Sequence, residues 1–129
     1  MNPKILQTPR PVFLNPMRIR MPVGACTSIA HRISGLLMAV GVPIGVVLLH
    51  MSSRDEAGFE RLRTLLGLWP ATLLVSLMVW ALAHHVLAGV RHLLTDFGIG
   101  SSLKAARRSA WTSNVAALVI AFAAAGVMW

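Results

Sequence analysis

Three long apolar runs, separated by shorter polar intervals, dominate the pattern of the chain. The runs cover residues 33–51, 65–83 and 109–129, and each reaches the ~20 residues that a helix needs to cross a bilayer. The first run extends backward toward Cys26, and the second continues into a segment rich in histidine. The pattern therefore predicts an all-α integral membrane fold with three transmembrane helices that run up, down and up.

These runs define a single membrane-anchor domain over residues 1–129. We predict helices over 26–51, 65–95 and 109–129, loops over 52–64 and 96–108, and an N-terminal segment over 1–25. Pro43 should kink the first helix, while Pro70 suits the first turn of the second. Trp69, Trp111 and Trp129 lie near the run ends, where interfacial aromatic residues are common.

The composition supports a membrane protein. Of the 129 residues, 56% are hydrophobic and only 12% are charged, far below the ~25% charged residues of a typical soluble domain. The net charge of +8 does not indicate nucleic-acid binding, because the basic residues flank apolar runs and leave no soluble surface for a groove. Lysines and arginines are richest in the N-terminal segment and in residues 96–108, which predicts that the N-terminus is cytoplasmic.

The second run ends in HHVLAGVRHLLTD, a sequence with ionisable residues that are costly in lipid. On a helix, His85, Gly89 and His92 share one face. His84 and Arg91 share a neighbouring face. Ionisable groups inside a membrane normally face the bundle interior and serve a function, so this segment is a candidate functional site.

His85 is the candidate ligand for haem iron. It lies eleven residues before Asp96, which places it ~16 Å inside the helix end, near mid-membrane. A neutral imidazole there can ligate haem iron, and Gly89 one turn later lets a flat macrocycle approach the backbone. The alternative is a histidine that hydrogen-bonds to a neighbouring helix.

A second axial ligand has to come from another helix. His85 and His92 lie ~10.5 Å apart along one helix, whereas axial ligands bind from opposite sides of the macrocycle. His31 is the internal candidate, but its expected depth matches that of Arg91 and His92, which suits a haem propionate better than the iron. We therefore expect the second ligand to come from a partner chain.

The first helix begins with TSIAHRISG, in which His31 and Arg32 are adjacent. Both side chains could pair with the propionates of a haem. Ser28 lies one turn before Arg32 on the same face, so a hydroxyl and a guanidinium can together hydrogen-bond a quinone carbonyl at the membrane surface. The alternatives are a local helix-entry bond for Ser28 and a snorkelling interfacial role for Arg32.

These two segments resemble the motifs of the cytochrome b subunit of succinate dehydrogenase, the larger membrane anchor of respiratory complex II. The pattern S-x-x-H-R-x-[ST]-G is met by Ser28, His31, Arg32, Ser34 and Gly35. The pattern H-x-x-x-G-x-R-H-x-x-x-D is met by His85, Gly89, Arg91, His92 and Asp96. The motifs occur in the expected order, and the resemblance covers nearly the whole chain.

The resemblance implies a haem b subunit of the bacterial inner membrane that helps electrons from succinate to reach ubiquinone. It implies three partners, a small membrane anchor chain, an iron–sulfur protein and a flavoprotein, without which this chain is not catalytic. By position, His85 would be one axial ligand of haem b, and the small anchor chain would supply the other. Ser28 and Arg32 would line the quinone site, and His31 with Arg32 would approach the propionates. The alternatives are a haem-free anchor of a quinol:fumarate reductase and a transporter subunit that uses its histidines as a proton relay.

Overall fold

A computed structural model describes residues 21–128 of the chain. Within them lie four helices and no strand: α1 Val23–Ser52, α2 Glu56–Leu66, α3 Trp69–Asp96 and α4 Leu103–Met128. Helices α1, α3 and α4 are long and apolar enough to cross a membrane, which confirms the three-span, all-α fold. Most of the predicted N-terminal segment over 1–25, and the interfacial Trp129, lie outside the described residues.

Helix α3 is the central span, because it packs against both α1 and α4, which contact each other much less. The tightest packing involves alanines: Ala81 and Ala88 of α3, and Ala110 and Ala117 of α4, are fully buried. Each pair is seven residues apart and so lies on one helix face. Small side chains let membrane helices approach closely, which holds α3 and α4 together without large core residues.

Large apolar side chains instead point away from the bundle. Leu36 is 68% exposed, Val46 60% and Phe122 74%. A soluble protein would bury such residues, whereas a membrane span presents them to lipid or to another apolar helix. The outward face of the bundle therefore agrees with a membrane location.

The predicted loop over 52–64 is wrong, because most of it belongs to the short helix α2. The Asp55 carboxylate caps this helix by accepting a hydrogen bond from the Gly58 amide. Gly58 also lies against the Met51 carbonyl at the end of α1, where any side chain would clash. A capping carboxylate and a glycine at the close approach let the chain fold back as a helix immediately after the first span.

The other boundaries also shift. The second span begins at Trp69 rather than at residue 65, because residues 65 and 66 end α2; Pro70 occupies its first turn, as predicted. The third helix begins at Leu103 rather than at residue 109. Gly98 and Gly100 adopt positive φ angles of 79° and 72° after α3, a conformation that favours glycine. Helix α1 continues through Pro43.

Candidate functional site

Three histidines meet where α1 packs against α3. The rings of His31 and His85 are stacked, with centroids 4.2 Å apart and planes 10° apart. The ring of His92 is tilted against His31, with centroids 5.3 Å apart. All three residues are half-buried. The i, i+7 spacing of His85 and His92 predicted that they share a face, and the structure shows that this face meets α1.

His85 is held by its Nδ1 atom. This atom lies 3.2 Å from the His31 carbonyl oxygen and 3.4 Å from Ser34 Oγ. The buried Ser34 hydroxyl donates to the same carbonyl at 2.8 Å, so both neighbours of Nδ1 act as acceptors. Nδ1 therefore carries a proton, and in the neutral ring this leaves the lone pair on Nε2. A histidine whose Nδ1–H is fixed by a backbone carbonyl is the usual form of a metal-ligating imidazole.

Two glycines make room for these rings. A Cβ atom at Gly35 would lie 2.9 Å from Cε1 and 3.3 Å from Nδ1 of His85. A Cβ atom at Gly89 would lie 3.3 Å from Nε2 of His31. We predicted that Gly89 would face a macrocycle, but in this structure it faces the His31 ring. Of the two, Gly35 makes the closer approach; the sequence marked it as a motif residue with the small-residue spacing of helix packing.

The structure places His31 between the two levels that the sequence analysis compared. Ser28 contacts His92 and Ser34 contacts His85, and His31 lies midway between these two serines, beside Gly89. His31 is therefore about one helical turn deeper than His92 and about one turn shallower than His85. Its ring reaches both of these histidines.

Ser28 and Arg32, the predicted quinone residues, line one open groove of about 470 Å³ together with His31, His92 and Asp96. Ser28 Oγ lies 3.3 Å from Nε2 of His92, a contact between helices that replaces the alternative of a local backbone bond. Arg32 is exposed at the groove. The structure thus brings Ser28 and Arg32 to one surface, and His31 links that surface to His85.

Arg91 belongs to a different interface. Its Nε donates to Ser109 Oγ at 3.0 Å, and its Nη2 donates to the Ala106 carbonyl at 3.3 Å. Among residues 21–128 the only ion pair joins two residues of α2, so Arg91 and Asp96 do not pair there. Arg91 fastens α3 to the first turns of α4, while Asp96 lines the groove.

His84 also faces α4 and is 2% exposed. Its Nε2 lies 3.0 Å from Oδ1 of Asn114, and the buried Thr27 hydroxyl lies 3.2 Å from the same oxygen. This cluster joins all three spans, and His84 Nδ1 has no hydrogen-bond partner in the described part of the chain. Asn114 was not among the predicted site residues, although a lone amide in the apolar third run was a usable signal.

The two adjacent histidines therefore have different surroundings. His84 is enclosed and its Nε2 is occupied, whereas His85 is half-buried and its Nε2 has no protein partner in the described region. Within residues 21–128 no group of three or more His, Cys, Asp or Glu side chains is arranged to hold a metal ion. The arrangement fits a cofactor that takes one imidazole from this chain better than it fits a bare metal ion.

The family described as "Succinate dehydrogenase/Fumarate reductase transmembrane subunit" matches residues 7–125. A succinate dehydrogenase cytochrome b556 subunit of Coxiella burnetii is 38% identical over 120 residues, which are 92% of this chain and 94% of that protein.

Two further relatives have corresponding names. The succinate dehydrogenase cytochrome b556 subunit of Paracoccus denitrificans is 29% identical over 112 residues, which cover 87% of this chain and 86% of that protein. A mitochondrial succinate dehydrogenase cytochrome b560 subunit of Mus musculus is 34% identical over 104 residues, which cover 77% of this chain and 57% of the mouse protein.

Proposed function

The chain belongs to the family of succinate dehydrogenase/fumarate reductase transmembrane subunits, and we propose on that premise that it binds haem b and helps to form a quinone site. The names of its relatives support a cytochrome b membrane anchor subunit of succinate dehydrogenase. Such a subunit is part of an enzyme complex. The proposal concerns what the side chains of this subunit do there.

The observation that carries the haem proposal is the state of His85. Hydrogen bonding at Nδ1 makes Nε2 the nitrogen that can ligate a metal, and the close approach of Gly35 fixes the ring position. His85 Nε2 would be one axial ligand, and a small anchor chain would supply the other. When bound, haem b supplies a one-electron redox centre within the membrane. Arg32 and His31 would hold the propionates by charge-assisted hydrogen bonds.

The quinone proposal is carried by the groove that Ser28 and Arg32 share. The Ser28 hydroxyl and the Arg32 guanidinium can both donate hydrogen bonds to a quinone carbonyl. His92 lies within hydrogen-bonding distance of Ser28 and so orients that hydroxyl. Ubiquinone would receive electrons that originate at succinate in the flavoprotein and pass through the iron–sulfur protein.

The proposed setting is a bacterial inner membrane with the N-terminus on the cytoplasmic side. Two relatives that match most of the chain are bacterial, and lysines and arginines are concentrated before α1 and around the start of α4, which supports this orientation. Lys104, Arg107 and Arg108 lie in the first turns of α4. The groove with Ser28 and Arg32 would then open toward the soluble subunits.

A haem-free anchor of a quinol:fumarate reductase is the second candidate, because the family description includes fumarate reductase. The two candidates differ in what they require of the half-buried histidine. A structural span has no need of an imidazole whose Nδ1 is fixed and whose Nε2 is left available, so His85 favours the haem-binding function.

The test is an optical spectrum of the assembled, purified complex. His85→Ala and His85→Leu should remove or weaken the low-spin haem b absorption, because they remove the available nitrogen. His84→Ala should leave that absorption largely intact, and His50→Ala, at the exposed end of α1, is the matched control. A normal spectrum in the His85 variants together with loss in the His84 variant would reverse the assignment, and a wild-type complex without haem would favour the structural anchor.

A further inference from the structure

The end of the molecule away from the candidate quinone groove carries a second groove, formed where α2 folds back onto α1. We call it the corner groove; its volume is about 270 Å³, and its lining includes Leu48, Met51, Arg54, Arg61, Leu62 and Leu65. Leu48 follows Ser28 by twenty residues of one continuous helix, a rise of ~30 Å. That distance equals the hydrocarbon thickness of a bilayer, so the corner groove lies at the opposite membrane interface.

Helix α2 has the side-chain pattern of a helix that lies in a membrane interface. At ~100° per residue, Phe59, Leu62, Leu65 and Leu66 fall within an arc of ~120°. Phe59 remains 55% exposed and Leu65 44% exposed, although both lie beside the ends of two spans. An exposed apolar face at this position meets the acyl chains of the bilayer.

Some charged side chains around the corner groove have a partner within the chain, and others do not. The Asp55 carboxylate caps α2 at Gly58, and Glu60 pairs with Arg63 at 3.3 Å. Arg54 and Arg61 both line the corner groove, and neither guanidinium group has a hydrogen-bond or ion-pair partner among residues 21–128. Asp55 also lines the groove, but its carboxylate is held at the Gly58 amide. The groove therefore combines two available guanidinium groups with an apolar floor.

We propose that the corner groove binds an anionic phospholipid. The phosphate would lie between Arg54 and Arg61, since guanidinium groups donate paired hydrogen bonds to phosphate oxygens. One acyl chain would pass over the floor formed by Leu48, Leu62 and Leu65 into the bilayer. A phosphate without an acyl chain would contact only the arginines. A zwitterionic lipid carries no net charge and would be attracted less strongly by them. Both should therefore bind more weakly than an anionic phospholipid.

The experiment uses the assembled complex, stripped of lipid in mild detergent and titrated with dioleoyl-phosphatidylglycerol, with bound lipid counted by native mass spectrometry. The double variant Arg54→Gln/Arg61→Gln should bind it about 30-fold more weakly, or about fivefold for each arginine. Arg63→Gln is the matched control, because Arg63 lies on the same helix but pairs with Glu60. Its affinity should stay at the wild-type value.

Two further arms identify the ligand. Leu62→Gln leaves both arginines in place but disrupts the floor, and it should weaken phosphatidylglycerol binding by at least threefold. Glycerol 3-phosphate, which has no acyl chain, should not displace the lipid at millimolar concentration. Equal retention of phosphatidylcholine and phosphatidylglycerol, equal loss in the Arg63 control, or displacement by glycerol 3-phosphate would each overturn the proposal.

Discussion

Replacement of Gly35 by alanine tests the geometry around His85 most directly. Gly35 lies on α1 opposite the His85 ring, and an added Cβ would lie 2.9 Å from Cε1 of that ring. Ordinary contacts between carbon atoms are 3.5–4.0 Å, so the methyl group would be short of room by about 0.6 Å. The ring also stacks on His31 at 4.2 Å, which limits its retreat.

The magnitude follows from two opposing terms. Overpacking of a well-packed contact costs about 1–3 kcal/mol, whereas alanine is favoured over glycine inside a helix by about 1 kcal/mol. Gly35→Ala should therefore lower the free energy of unfolding by about 0–2 kcal/mol. Its main effect should be a displaced His85 ring, seen as a shifted low-spin haem b spectrum or as a lower haem content.

Gly45→Ala is the matched control on the same helix, because nothing lies within 4 Å of a Cβ at Gly45. It should leave the haem spectrum unchanged and raise stability by up to about 1 kcal/mol. Both variants would be measured in the assembled complex by optical and electron paramagnetic resonance spectroscopy, with thermal unfolding recorded in parallel. If Gly35→Ala matched Gly45→Ala in spectrum and in stability, His85 would not occupy the position described here.

Three other predictions address the remaining sites. In the assembled complex, Ser28→Ala and Arg32→Leu should lower quinone-linked turnover roughly ten- to a hundredfold. Succinate oxidation should stay normal when it is measured with an artificial acceptor that takes electrons from the soluble subunits. Arg32→Lys should restore quinone-linked turnover only in part. Wild-type quinone reduction in these variants would leave Arg32 as an interfacial anchor. A double-mutant cycle of His84→Phe and Asn114→Leu, followed by denaturant unfolding in micelles, should give a coupling of about 0.6–1.7 kcal/mol, and strict additivity would mean that the two side chains do not interact. Cysteines placed at 52–54 should react with a reagent added on the periplasmic side, and labelling from the cytoplasm would invert the proposed topology.

The sequence by itself determined the three spans and the angular relations within each helix. Apolar runs of membrane length have one stable solution, because every backbone polar group in lipid must be satisfied within a helix or a closed barrel. The 3.6-residue period then placed His85 and His92 on one face, and His84 and Arg91 on another. Those relations hold in the structure, since they depend only on positions within one helix.

The short helix α2 was not predicted from the sequence. Its start depends on the Asp55 cap and its position depends on the contact between Gly58 and the end of α1. An aspartate at this position is a local signal for the start of a helix, but it is hard to recognise among the other polar residues between the first two spans. The fold-back is a contact between two elements, which residue types alone do not specify.

Only the tertiary structure decided which neighbour each helix face meets. The stacking of His31 on His85, and the burial of His84 against Asn114, depend on how α1 and α4 are placed around α3. The period of a helix fixes the angle between two side chains, but not the depth at which a second helix crosses it. The contacts of Ser28 with His92 and of Ser34 with His85 set that depth and place His31 beside Gly89. Packing, rather than spacing, also assigned the two adjacent histidines to different interfaces.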